Sequence, residues 1–148
     1  GHLVGMKKIN AAYTIGKRIM RLGTATSVTL ALLTAIFGKH ILGMLTSDPW
    51  IISTGATILW VEVLLENGRA LNFFGVNSLR SAGDIYFPVL VGIVVMWGVQ
   101  VVGSYLLGIS LGWGLVAMWI IFALDENIRG FIFIRRWNSF KWVGKGFL

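Results

Sequence analysis

The chemistry open to this chain sits mainly in two short stretches. "VEVLLENGRALN", Val61 to Asn72, carries Glu62, Glu66 and Arg69 at intervals of four and three, with Asn72 three residues further on. At about 100° per residue the three charges fall within about 60° of one another, a single stripe on a helix. "ALDENIRGF", Ala123 to Phe131, repeats the theme with Asp125 and Arg129 at i,i+4 and Glu126 alongside. Two arginines cannot neutralise four carboxylates, which leaves at least one acid to be protonated or paired with a cation. A carboxylate held away from water that changes protonation is an ion-coupling device. Glu62, Glu66, Arg69, Asn72, Asp125, Glu126 and Arg129 are therefore the candidate cation-coupling or substrate-cavity residues. The plainer reading, which bears most on the arginines, is that Glu66–Arg69 and Asp125–Arg129 are intrahelical pairs that fix packing.

These charges interrupt a chain built for lipid. Of 148 residues 56% are hydrophobic and only 13% charged, against roughly a quarter charged in a soluble domain, and the mean hydropathy is +0.78. The composition predicts an all-α, polytopic membrane bundle. Residues 1–21 read as an amphipathic interfacial helix, with Ile9, Ala12, Tyr13, Ile19 and Met20 on one face and most of the bases on the other. Four transmembrane helices follow, at about 22–46, 49–80, 86–107 and 113–134, and 135–148 form a basic tail. Ser47-Asp48-Pro49 supplies the start signal of the second helix. From Ile85 to Leu124 there is no charged residue for forty positions, enough for two spans. The break between them falls in the glycine-rich "GISLGWG", Gly108 to Gly114.

Depth follows from counting. Glu62 lies twelve residues past Trp50 and Asp125 twelve past Trp113; Glu66 and Arg129 are each sixteen past. Equal steps imply similar depths, so an acid on one helix could face a base on the other if the two are neighbours. Such charges belong in the protein interior or a water-filled cavity, because each costs a few kcal/mol in lipid. Ten of the thirteen Lys and Arg flank the spans on one side, against Lys39 alone on the other. This predicts an integral plasma (inner) membrane protein with both ends of the segment cytoplasmic. The same flanking distribution argues against nucleic-acid binding despite a pI near 10.3.

No cysteine is present, so no disulfide or thiolate metal site is expected. His2 and His40 are isolated, and no metal site or cofactor is predicted beyond a coupling Na⁺ or H⁺. The seven tryptophans read as interfacial belt or bundle packing. No nucleophile–base pair or phosphate loop appears, so no enzyme activity is expected. The first residue is Gly1 with no signal-peptide pattern, and the chain reads as a piece of something longer.

At "NSLRSAGDIYFPV" the residues resemble a known family. Leu79, Arg80, Gly83, Asp84 and Pro88 are similar to the "LRGxGD…P" cytoplasmic turn of multidrug and toxic compound extrusion (MATE) transporters. "GHLVGMKKINAA" resembles their "GQxxGAGxxxEA", and "LTSDPWII" resembles the "LFTDDPEVI" that ends the third helix of each half. "DENIRGFIFIRRWNSFKW" is similar to the final helix and its tail. The resemblance covers the chain in order, as the last four of twelve helices. It implies an antiporter of two six-helix lobes that exports cationic or amphipathic compounds against Na⁺ or H⁺. Partners are then the bilayer, those small molecules, and the remaining eight helices. Where the family carries its key acid, this chain has Arg69, with Glu66 a turn away. Two alternatives stay open: a lipid-linked oligosaccharide flippase of related shape, and a non-transporting membrane assembly subunit.

Overall fold

The computed structural model describes residues 1–145 and is all-α over them. A single turn, α1 (His2–Gly5), precedes four long helices: α2 (Ile9–Leu45), α3 (Pro49–Ser81), α4 (Tyr86–Ser110) and α5 (Gly114–Asn138). α3 lies between α2 and α5 and makes most of its contacts with these two. α4 packs more lightly, chiefly along α5.

Local chemistry explains the helix ends. Asp48 caps α3, its Oδ1 accepting from the backbone N–H of Trp50 at 2.8 Å and of Ile51 at 3.4 Å, with Pro49 in the first helical position. At the other end the Asp84 N–H donates to the Leu79 carbonyl and the Gly83 N–H to the Arg80 carbonyl. This is a Schellman closure, and it requires the left-handed residue that Gly83 provides at φ 95°. Pro88 falls in the first turn of α4, where its missing N–H has no partner to lose. α4 is α-helical to Val95 and π-helical over Met96–Val101 and Ser104–Ser110. Gly112 and Gly114, both at positive φ, turn the chain into α5.

Two features stand apart from the expected layout. Residues 9–45 form one unbroken helix of 37 residues, with no break between an interfacial segment and a span. Nothing around Arg21-Leu22 can stop a helix: there is no proline, and Gly23 only weakens one. At roughly 55 Å, α2 is far longer than a hydrocarbon core. Its buried residues are Ala12, Gly16 and Met20 in the first half and Ala35 and Gly38 in the second, while Ile19 is exposed. Second, among the described residues three helices are long and apolar enough to cross a membrane: α2, α3 and α4. α5 has the length, but Asp125, Glu126, Arg129, Arg135 and Arg136 lower its hydropathy.

The core is concentrated at one end, where α2 begins and α3 and α5 finish. Ala12, Met20, Leu79, Ala82, Phe133, Trp137 and Trp142 form one buried cluster there. Trp137 and Trp142 stack at 4.3 Å, and the Trp142 indole N–H donates to the Trp137 carbonyl. The residues after α5, expected as a basic tail, fold back and bury Trp142 completely.

Candidate functional site

Close approach of α3 and α5 creates the site. A Cβ on Gly130 would lie 2.8 Å from the Leu71 Cβ and 3.1 Å from the Gly68 carbonyl, so only glycine fits between these backbones. Small residues at a helix interface permit this spacing in membrane bundles. The polar groups of both helices are thereby brought to one level.

They do not pair as the depth count suggested. Arg69 bonds to Glu66 and, at 3.2 Å, to Glu62, all on α3. Arg129 bonds to Asp125 and, at 3.3 Å, to Glu126, all on α5. Among the described residues no ion pair links the two helices. Amides make the crossing. Asn67 Nδ2 donates to Asn127 Oδ1 at 2.8 Å, and Asn127 Nδ2 donates to the Leu64 carbonyl at 2.8 Å. Asn72 Nδ2 donates to Glu126 Oε2 at 2.6 Å. The close backbones leave room for short amides, and each guanidinium finds two acids on its own helix within two turns. Asn67 and Asn127 were missed by sequence reasoning. The signal was available, since an amide inside an apolar run needs a partner.

Asp125 is 1% exposed, and its Oδ1 has no hydrogen-bond partner; the same holds for Glu62 Oε2 and Arg129 Nε. A buried carboxylate oxygen without a protein partner is satisfied by a proton, a water or a cation. Asp125 and Glu126 line a cavity of about 320 Å³ with Arg69, Trp119, Phe122 and Gln100, the last from the first π-helical stretch of α4. One turn nearer the cored end, Arg129 lines a second cavity of about 310 Å³ together with Val76, Arg80, Pro88 and Met96. On α3 the lining moves from Leu65 and Arg69 to Val76 and Arg80, so the two cavities are successive along the bundle. Glu62 and Glu66 line a third cavity, about 280 Å³, between α2 and α3 with Ser27 and Thr34. No three His, Asp or Glu side chains cluster as a metal site among the described residues.

The turn residues lie elsewhere, at the cored end. Leu79, Asp84 and Pro88 are buried, and Arg80 is exposed. Asp84, 2% exposed, takes its charge partner from α5 rather than from Arg80: Arg136 Nε reaches Oδ2 at 2.8 Å, and Lys145 Nζ lies 3.6 Å from Oδ1. The Arg136 guanidinium also sits 4.4 Å from the centre of the Phe87 ring.

Long apolar helices that carry buried acids beside side cavities are what a polytopic membrane bundle contains. The comparisons agree. The MatE family model matches residues 1–106. The chain is 38% identical over 146 residues to the uncharacterized transporter YisQ of Bacillus subtilis (strain 168), a match covering 99% of this chain and 32% of that protein. It is 30% identical over 112 residues to the probable multidrug resistance protein NorM of Synechococcus sp., covering 72% of this chain and 24% of that protein. No solved structure matches. This chain belongs to the MatE family of membrane transporters. It spans about a third of the length of one of these relatives and about a quarter of the other.

Proposed function

We propose that the chain is the C-terminal part of a MATE antiporter that exports amphipathic or cationic small molecules against Na⁺ or H⁺. α2 to α5 are then the last four of twelve helices, α5 spans as well, and both ends of the segment face the cytoplasm. The observation that carries this reading is the excess of acid over base in the two stripes, with Asp125 fully buried. Four carboxylates share two guanidiniums, and Asp125 keeps one oxygen unpartnered in a cavity that also has aromatic walls. A cation with apolar substituents is matched by such a cavity. Orientation is supported by the gathering of Lys7, Lys8, Arg80, Arg135, Arg136, Lys141 and Lys145 around the cored end. The first turns of α2, with Lys17, Arg18 and Arg21, run in the headgroup layer at that end.

The test uses the full-length transporter in everted vesicles, with substrate efflux driven by an imposed Na⁺ or H⁺ gradient. Glu66→Gln and Asp125→Asn should each abolish or greatly reduce coupled efflux while expression persists. Wild-type coupling in both variants refutes the assignment.

A further inference from the structure

A different face of α5 carries a second pattern. Phe131, Arg135 and Ser139 follow at intervals of four and stack along the last turns of the helix and its cap. Phe131 is 64% exposed. With Phe87 from α4, Ile132, and Lys141 from the turn beyond, these residues enclose a cavity of about 250 Å³. Its back wall is fixed by Arg136, which Asp84 holds over the Phe87 ring.

The walls are apolar toward the middle of the bundle and cationic toward its end. Arg136 is neutralised by Asp84, but neither Arg135 nor Lys141 has an acidic partner among the described residues. Solvated bases alone leave the exposed Phe131 directly beside them unexplained. One class of ligand answers both features: a phosphate joined to a hydrocarbon chain. A guanidinium and an ammonium a few residues apart can share the oxygens of one phosphodiester, the arginine in a forked contact. The phenyl ring one turn deeper then lies against acyl carbon. Basic pockets between transmembrane helices hold lipid headgroups on this principle.

We infer that this cavity binds an anionic phospholipid, with Arg135 and Lys141 on the phosphate and Phe131 along the acyl chain. The inference rests on α5 ending at a headgroup layer, as in the proposed topology. Lipid retention is read without transport, so failure of the one is distinguishable from failure of the other.

The full-length protein is purified in detergent, incubated with phosphatidylglycerol or phosphatidylcholine, and its retained lipid counted by native mass spectrometry. Phosphatidylglycerol should be retained preferentially. The double variant Arg135→Gln/Lys141→Gln should lose roughly 30-fold in retention, the loss expected for two cations near a headgroup. The charge-keeping Arg135→Lys/Lys141→Arg should retain the lipid, which guards against a misfolded helix end. Lys7→Gln/Lys8→Gln, which removes the same charge elsewhere at this end, should change little. Inorganic phosphate should displace the lipid poorly. Equal retention of phosphatidylcholine, an equal loss in the Lys7/Lys8 variant, or ready displacement by inorganic phosphate each overturns the inference. The last result would mark a free-phosphate site.

Discussion

Removing Arg136 tests the account of the cored end most directly. Asp84 is short and 2% exposed, so it cannot reach water without opening the α3–α4 turn, whose Schellman bonds end on its own N–H. In Arg136→Gln its remaining cation is Lys145, at 3.6 Å and itself half exposed. An uncompensated buried charge costs about 3–5 kcal/mol. Lys145 recovers little of this, because exposed partners are worth about 1 kcal/mol or less. The expected destabilisation is about 3 kcal/mol. Asp84→Asn should cost less, because the amide oxygen can still accept from Arg136 and the long Arg136 side chain can otherwise turn its guanidinium toward the headgroups. Lys145→Gln should cost under about 1 kcal/mol. The order Arg136→Gln, then Asp84→Asn, then Lys145→Gln is the signature. It can be read from equilibrium unfolding in mixed micelles by tryptophan fluorescence, since the Trp137–Trp142 stack lies in the same cluster. A Lys145→Gln cost equal to that of Arg136→Gln, or an Arg136→Gln cost below about 1 kcal/mol, refutes the buried-pair reasoning.

Two further outcomes are expected. Gly130→Ala forces a methyl against Leu71 and the Gly68 carbonyl and should destabilise by about 1–3 kcal/mol. Gly92→Ala, where nothing lies within 4 Å, should be neutral or slightly stabilising in the same unfolding assay; equal effects would refute the close approach. For the stripe on α3, Glu66→Gln/Arg69→Gln should restore the folded yield lost in single variants without restoring efflux. The Glu66–Arg69 stability coupling should be no more than about 1 kcal/mol, because Arg69 is half exposed. Recovery of efflux in the double variant would favour a pure packing role.

The helical class and the polar stripes were legible because both are periodic, and periodicity survives without tertiary context. The start of α3 was legible for a related reason: Asp48 and Pro49 act on their immediate neighbours. What escaped depends on distance along the chain. Asp84 meets Arg136 across 52 residues and Asn67 meets Asn127 across 60, and no local pattern announces either. The unbroken α2 escaped for the opposite reason, since hydropathy changes near Arg21 without any residue able to end the helix.

The depth count put the acids and bases at one level, yet the actual pairing separates two duties that it had merged. Packing between α3 and α5 rests on Gly68, Gly130 and neutral amides, which do not titrate. Charge pairing stays within each helix, on Arg69 and on Arg129. An acid here can therefore gain or lose a proton, or exchange its arginine for a cation, while the Asn67–Asn127 contact and the glycine approach stay made. Had Arg69 paired with Asp125 across the interface, each such event would have removed a bond holding the helices together. The polar crossing that does involve an acid, Asn72 to Glu126, is an amide donor to a carboxylate oxygen, and a protonated Glu126 can still accept it. On this arrangement a change of charge partner at Asp125 or Glu126 leaves the Asn67–Asn127 contact and the Gly68–Gly130 approach in place.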